Sequence, residues 1–136
     1  MNVSLEDAVI VIVEDDPNSY LATLDLLKIA GARLVYPATS GAEAIKLAQT
    51  LPRVDLFLVD IYMPGETGYE LIKRIRDHAA MHESKVVALT ASVMFDDIRR
   101  VKDAGFDSFI GKPVRPPRFA DQVRHILAGE KLWEWR

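Results

Sequence analysis

Short, strongly apolar segments alternate with longer segments of helical period along almost the whole chain. Five short runs, rich in β-branched residues, predict strands: 8–14, 32–36, 55–60, 85–90 and 107–111. Each strand is followed by a longer segment whose apolar residues have helical spacing: 17–30, 41–51, 68–79, about 95–104 and 116–128. Because continuous apolar strands that alternate with helices form parallel sheets covered on both faces, the pattern predicts a doubly wound α/β fold.

The residues at the segment boundaries support this division. Asp16 before a proline predicts the start of the first helix, and Ser40 and Thr67, each followed three residues later by glutamate, predict capping boxes. Two prolines predict the start of the last helix: Pro116 and Pro117. Three glycines fall where helices should end in a left-handed residue: Gly31, Gly105 and Gly129.

Length and composition restrict the class of protein. The chain has 136 residues, no cysteine, 49% apolar and 27% charged residues, and a net charge of −3. One domain is expected, disulfide frameworks and thiolate metal sites are excluded, and no apolar run approaches the roughly 18 residues of a membrane span. The mild negative charge argues against direct binding to nucleic acid. We therefore expect a cytoplasmic protein whose partner is another protein or a small ligand.

Chemically active side chains follow four of the predicted strands. Glu14 and Asp15 end the first strand, Asp60 the third and Thr90 the fourth, and Lys112 follows the fifth. The carboxyl ends of parallel strands meet at one edge, where carboxylates repel one another and a hard cation such as Mg²⁺ relieves the repulsion. A lysine and a hydroxyl beside them can contact phosphate oxygens. This set predicts phosphoryl transfer with Asp60 as the nucleophile.

Four segments carry a family resemblance. They are VIVEDDP at 11–17, LVDIYMPGETG at 58–68, ALTAS at 88–92 and DAGFDSFIGKP at 103–113. In their order and spacing the chain resembles the receiver domain of two-component response regulators, in particular stand-alone, chemotaxis-regulator-like ones. The resemblance implies a flavodoxin-like (β/α)5 fold with strand order 2-1-3-4-5. The match covers about residues 8–128, and we expect a receiver domain at 1–129 followed by a tail at 130–136 that contains Trp133 and Trp135.

The resemblance also implies a role for each matching residue. Asp60 matches the phosphoacceptor. Mg²⁺, or Mn²⁺, would be bound by Asp15, by Asp60 and by the backbone carbonyl of Tyr62, with Glu14 acting through water. The hydroxyl of Thr90 and the ammonium group of Lys112 would be the other two catalytic groups, beside Asp60.

A switch and a backbone feature follow from the same resemblance. Thr90 and Phe109 match the residues that move on phosphorylation, and the Lys112–Pro113 bond is expected to be cis. Because Phe109 has no hydroxyl, we expect its movement to be a packing event. The surface that changes would be formed by the fourth helix, the fifth strand and the fifth helix.

The resemblance implies a signalling domain rather than an enzyme, with self-catalysed phosphotransfer and slow autodephosphorylation. The phosphoryl donor would be a histidine kinase or histidine phosphotransfer protein, and the signal would pass to a protein target or output domain; a homodimer is also allowed. The alternative is a pseudo-receiver that binds partners without phosphorylation. Pseudo-receivers usually lack the aspartate or the lysine, whereas this sequence has both. The two tryptophans are interpreted either as a small hydrophobic anchor or as a partner-binding or dimer-forming patch.

Overall fold

The computed structural model describes residues 3–91, 94–131 and 133. Five strands form one parallel sheet in the order β2-β1-β3-β4-β5, which confirms the predicted doubly wound, flavodoxin-like topology. The strands are β1 (Val9–Val13), β2 (Leu34–Ala38), β3 (Leu56–Asp60), β4 (Lys85–Thr90) and β5 (Ser108–Gly111). The helices are α1 (Pro17–Ile29), α2 (Gly41–Thr50), α3 (Gly68–Asp77), α4 (Phe95–Asp103) and α5 (Arg118–Leu127).

The core lies on both faces of the sheet because alternate strand residues point to opposite sides. One face packs against α2, α3 and α4, and its strand residues include Val11, Val13, Phe57, Val59 and Phe109. The other face packs against α1 and α5, and its strand residues include Ile10, Ile12, Leu56, Leu58 and Ile110. The three central strands are therefore covered on both sides, as their continuous apolar sequences predict.

The helix boundaries follow the predicted capping residues, with one exception. Asp16 caps α1, and Thr67 forms a complete capping box with Glu70 at α3. Ser40 caps α2, but the Glu43 carboxylate binds the backbone and hydroxyl of Thr39 instead of closing the box. The three glycines predicted to end helices all have positive φ: Gly31, Gly105 and Gly129.

Several local expectations were wrong, and β2 lies at 34–38 rather than at the predicted 32–36. The last helix begins at Arg118, two residues after the predicted start at Pro116, because Pro117 takes the N-cap position. Leu21 of α1 is 51% exposed although its spacing placed it with the buried Leu27. The predicted strands that began at Asp55 and Asp107 begin one residue later. The two carboxylates instead accept hydrogen bonds from backbone N–H groups near the start of neighbouring strands, those of Val9 and Val86. Among the described residues, no helix is both long and apolar enough to cross a bilayer.

Candidate functional site

The strand ends bring the predicted site residues to one edge of the sheet. Val13 lies opposite Val59 in the β1–β3 pairing, so Glu14 and Asp60 follow at the same level. Thr90 at the end of β4 lies opposite Gly111 at the end of β5. Residues far apart in sequence therefore surround the end of β3, as the parallel topology requires.

Three carboxylates form the centre of this edge. One oxygen each from Glu14, Asp15 and Asp60 lies within 4.8 Å of the others. Lys112 reaches the same cluster, with its Nζ 3.3 Å from Glu14 Oε1 and 3.7 Å from Asp60 Oδ2. One ammonium group thus faces two carboxylates that are close enough to repel each other.

Glu14 is the most constrained member of the cluster. Its side chain is almost fully buried, and its Oε2 atom has no hydrogen-bond partner among the described residues. The pKa of the Glu14 carboxyl is raised from its ordinary 4.5 to about 7, first by burial and then by the adjacent Asp60 carboxylate, while Lys112 opposes the shift. The site therefore holds more negative charge than its own residues neutralise.

The loop after β3 orients the Asp60 carboxylate. The backbone N–H of Tyr62 donates to Asp60 Oδ1 at 3.3 Å, so one carboxylate oxygen faces this amide and the other faces Lys112. The loop then returns to the sheet at Gly68, whose N–H donates to the Ile61 carbonyl at 2.8 Å. A side chain at Gly68 would bring its Cβ to 3.0 Å from the Ile61 Cα, so this close return favours glycine.

Thr90 and Lys112 are connected through the backbone. The Lys112 N–H donates to the Thr90 carbonyl at 2.8 Å, and the Lys112–Pro113 peptide bond is cis. Thr90 is buried at the end of β4. The structure thus brings four of the predicted side chains into one cluster, those of Glu14, Asp15, Asp60 and Lys112. It places the fifth residue, Thr90, at the end of the neighbouring strand β4. Two observations fit a divalent cation here. The three carboxylates offer the oxygen ligands that hard cations prefer, and Glu14 Oε2 has no hydrogen-bond partner among the described residues.

One contact beside the site did not follow from local sequence patterns. The ring of Trp133 stacks on Phe109 of β5, with ring centroids 6.3 Å apart and an angle of 20° between the planes. The two residues are 24 positions apart, and the only sequence signal was the presence of tryptophan after the last helix. Trp135 lies outside the described residues, as do the other tail positions 132, 134 and 136.

The family assignment agrees with the fold and the site. The family model described as the response regulator receiver domain matches residues 10–124. The chain therefore belongs to the receiver domains of two-component response regulators, which are signalling domains.

Individual relatives extend the similarity over nearly their whole length. The chain is 32% identical over 118 residues to the polar-differentiation response regulator DivK of Brucella anthropi, covering 87% of this chain and 94% of DivK. The chemotaxis response regulator CheY4 of Vibrio cholerae has a TM-score of 0.80 at 25% identity, covering 88% of this chain and 98% of its own. A receiver domain of a sensor histidine kinase from Pseudomonas aeruginosa, solved with a magnesium ion coordinated in its active site cleft, has a TM-score of 0.75 at 26% identity and covers 90% of this chain and 95% of its own.

Proposed function

We propose that Asp60 accepts a phosphoryl group from a phosphohistidine and that this changes the surface formed by α4, β5 and α5. The observation that carries the proposal is the position of Asp60 between two acidic neighbours and the Lys112 ammonium group at the end of the central strand β3. A carboxylate held in this way is a nucleophile for acyl phosphate formation.

The transfer needs one bond to form as another breaks. A carboxylate oxygen of Asp60 bonds to phosphorus while the phosphorus–nitrogen bond of the donor breaks. The donor ring, already protonated on its other nitrogen, keeps the electron pair of the broken bond and leaves as neutral imidazole. The Tyr62 amide fixes the rotation of the Asp60 carboxylate. Lys112 offsets the charge on the transferring phosphoryl oxygens, and the Thr90 hydroxyl is in a position at the end of β4 to donate to one of them.

The carboxylate cluster fits Mg²⁺ or Mn²⁺. Asp15, Asp60 and the backbone carbonyl of Tyr62 would hold the ion, with Glu14 acting through water. When bound, the ion neutralises negative charge on the carboxylates and on the phosphoryl group. The Pseudomonas receiver, which is similar in fold, holds magnesium in its cleft, and this supports the assignment.

Phosphorylation would shift a packing equilibrium. The acyl phosphate carries about −1.5 to −2 charges next to Thr90 and Lys112, in place of the single negative charge of the free Asp60 carboxylate. Thr90 then moves toward the phosphoryl group, and Phe109 fills the space that Thr90 leaves, so the population of a second arrangement rises. A downstream protein target or output domain would recognise this arrangement.

The proposed partners follow from the same chemistry. The donor is a histidine kinase or histidine phosphotransfer protein, and the chain acts in the cytoplasm. Water slowly hydrolyses the acyl phosphate, which resets the domain. The side chain of Tyr62, 60% exposed beside Asp60, would slow this hydrolysis by limiting the approach of water.

The test is incubation with Mg²⁺ and a small phosphodonor such as acetyl phosphate, followed by intact-mass measurement. We expect one phosphoryl group per molecule, lost in Asp60→Asn and in samples treated with a chelator. Asp25→Asn removes an exposed α1 carboxylate and is the matched control, expected to label normally. A folded parent protein that takes up no phosphoryl group would support the pseudo-receiver instead, and turnover of many phosphoesters would indicate a phosphatase.

A further inference from the structure

The aromatic residue of the proposed switch is covered by a tryptophan from the segment after α5. Phe109 is only 8% exposed, and Trp133 stacks on it while packing against the core cluster on that face of the sheet. Stacked aromatic pairs contribute free energy beyond the area that they bury. The low exposure of Phe109 therefore depends in part on a residue outside the five strand–helix units.

Two cationic groups hold this segment on the face. Lys131 Nζ lies 3.6 Å from Asp107 Oδ1, and Lys102 Nζ of α4 lies 6.0 Å from the centre of the Trp133 ring. Asp107 is itself fixed, because its other oxygen accepts hydrogen bonds from Arg76 and from the Val86 backbone. Lys131 and Trp133 thus contact the residue before β5 and a side chain of α4.

Trp133 lines the cleft between α4, β5 and α5, where it stacks on Phe109. The cleft has a volume of about 1030 Å³, and its apolar wall includes Ile98, Phe109 and Trp133. Any partner that docks on Phe109 has to displace the Trp133 ring first. The segment therefore competes with partners for the same apolar surface.

We propose that Trp133 is an intramolecular cover of the switch face that opens when Asp60 is phosphorylated. The trigger rests on the proposed function. When Phe109 turns inward behind Thr90, the surface on which the Trp133 ring stacks is withdrawn. The ring loses its partner, the cover opens, and the cleft becomes accessible to a target protein.

Thermodynamic linkage gives the cover a measurable effect on phosphorylation. If phosphorylation weakens the Trp133 contact, then removal of the contact must favour phosphorylation by the same factor. We expect Trp133→Ala to raise the affinity for beryllofluoride with Mg²⁺, a noncovalent mimic of the acyl phosphate whose binding reaches equilibrium, by about two- to tenfold. Lys131→Ala removes only an exposed ion pair and should change this affinity less than about twofold.

Tryptophan fluorescence reports the cover directly, because the sequence contains two tryptophans, both in this segment. In the full chain carrying Trp135→Phe, Trp133 is the single tryptophan, and excitation at the long-wavelength edge of tryptophan absorption avoids the four tyrosines. We expect Mg²⁺ and acetyl phosphate to shift its emission to longer wavelength and to raise its quenching by acrylamide about twofold. The same additions to the Asp60→Asn variant should change neither. Ile29→Ala, which truncates an 81% exposed side chain on α1, is the matched control for apolar truncation.

The outcomes separate the cover from the proposed function, because phosphorylation is read independently by intact mass. Full phosphorylation with unchanged Trp133 emission and quenching overturns the cover and leaves the proposed function standing. If no phosphoryl group is taken up, the proposed function and the trigger both fail. The contact is then tested without phosphate by Phe109→Leu, which preserves an apolar core residue. Increased quenching of Trp133 in that variant supports the contact, and unchanged quenching overturns it.

Discussion

The amino-terminal edge of the sheet binds its carboxylates to backbone amides, whereas the carboxyl-terminal edge gathers carboxylates around a single lysine. At the first edge, Asp55 accepts from the Val9 N–H at 2.8 Å and from Arg53 at 3.0 Å. At the same edge Asp107 accepts from the Val86 N–H and from Arg76, both at 2.8 Å.

At the other edge Glu14, Asp15 and Asp60 face one another, and Glu14 keeps an oxygen without a partner among the described residues. The chemical groups are the same at both edges, and only their partners differ. Carboxylates with hydrogen-bond partners join strands and stabilise the fold, while the carboxylates that face one another raise the free energy of the site until a cation offsets their repulsion. This division leads to three predictions.

The largest effect is expected from removal of Lys112, the lysine that, among the described residues, contacts the carboxylates at the carboxyl-terminal edge. Lys112→Met should lower the rate of phosphoryl uptake from acetyl phosphate by about 100- to 1000-fold, because charge on the transferring group is no longer offset. Lys46→Met, which removes an exposed lysine on α2, should leave this rate unchanged. Uptake by Lys112→Met at the parent rate, measured by intact mass over time, would show that Lys112 is not part of the site.

Loss of a satisfied carboxylate should instead reduce stability. Asp107→Ala leaves the Val86 N–H and the Arg76 guanidinium without their common acceptor, so the free energy of unfolding in urea should fall by about 2–3 kcal/mol. The matched control is Asp7→Ala, which breaks an ion pair to Arg33 in which both side chains are more than 60% exposed and should cost less than about 1 kcal/mol. Equal losses in the two variants would contradict the contrast between the edges.

The smallest effect, of opposite sign, is expected at Glu14. In the metal-free protein Glu14→Gln should raise the free energy of unfolding by about 1 kcal/mol near pH 8, because it removes a buried charge beside Asp60. Since the pKa of Glu14 is raised to about 7 by folding, the parent protein loses stability as pH rises from about 4.5 to about 7. The gain from the substitution should therefore shrink at pH 5. Asp25→Asn is the control, and a destabilised Glu14→Gln variant at pH 8 would contradict the prediction.

Sequence patterns predicted those features of the fold that depend on local chemistry. Asp16 and Thr67 sit where capping requires them, and Gly31 ends α1 with a φ of 109°. The edge at which the site residues meet also followed, because parallel strands place their carboxyl ends together. Local rules were less reliable where a competing partner was close by, as with Glu43, whose carboxylate binds Thr39 rather than Ser40.

Contacts between distant residues could not be read from the sequence in this way. The Lys112–Glu14 ion pair joins residues 98 positions apart, and its distance depends on the packing of four strands. Arg76 links α3 to Asp107 through a conformation that no periodicity encodes. The stacking of Trp133 on Phe109 depends on the path of the chain after α5, for which the sequence offers only an aromatic residue as a signal.

The position of the phosphoryl group is the most direct test of the site. The unsubstituted protein would be phosphorylated with acetyl phosphate and Mg²⁺, treated with borohydride to reduce the acyl phosphate, and digested for tandem mass spectrometry. We predict reduction of the side chain at Asp60 and at no other carboxylate. Reduction at Asp15 or Glu14, or a stoichiometrically phosphorylated protein with an unreduced Asp60, would contradict the assignment of Asp60 as the phosphoacceptor.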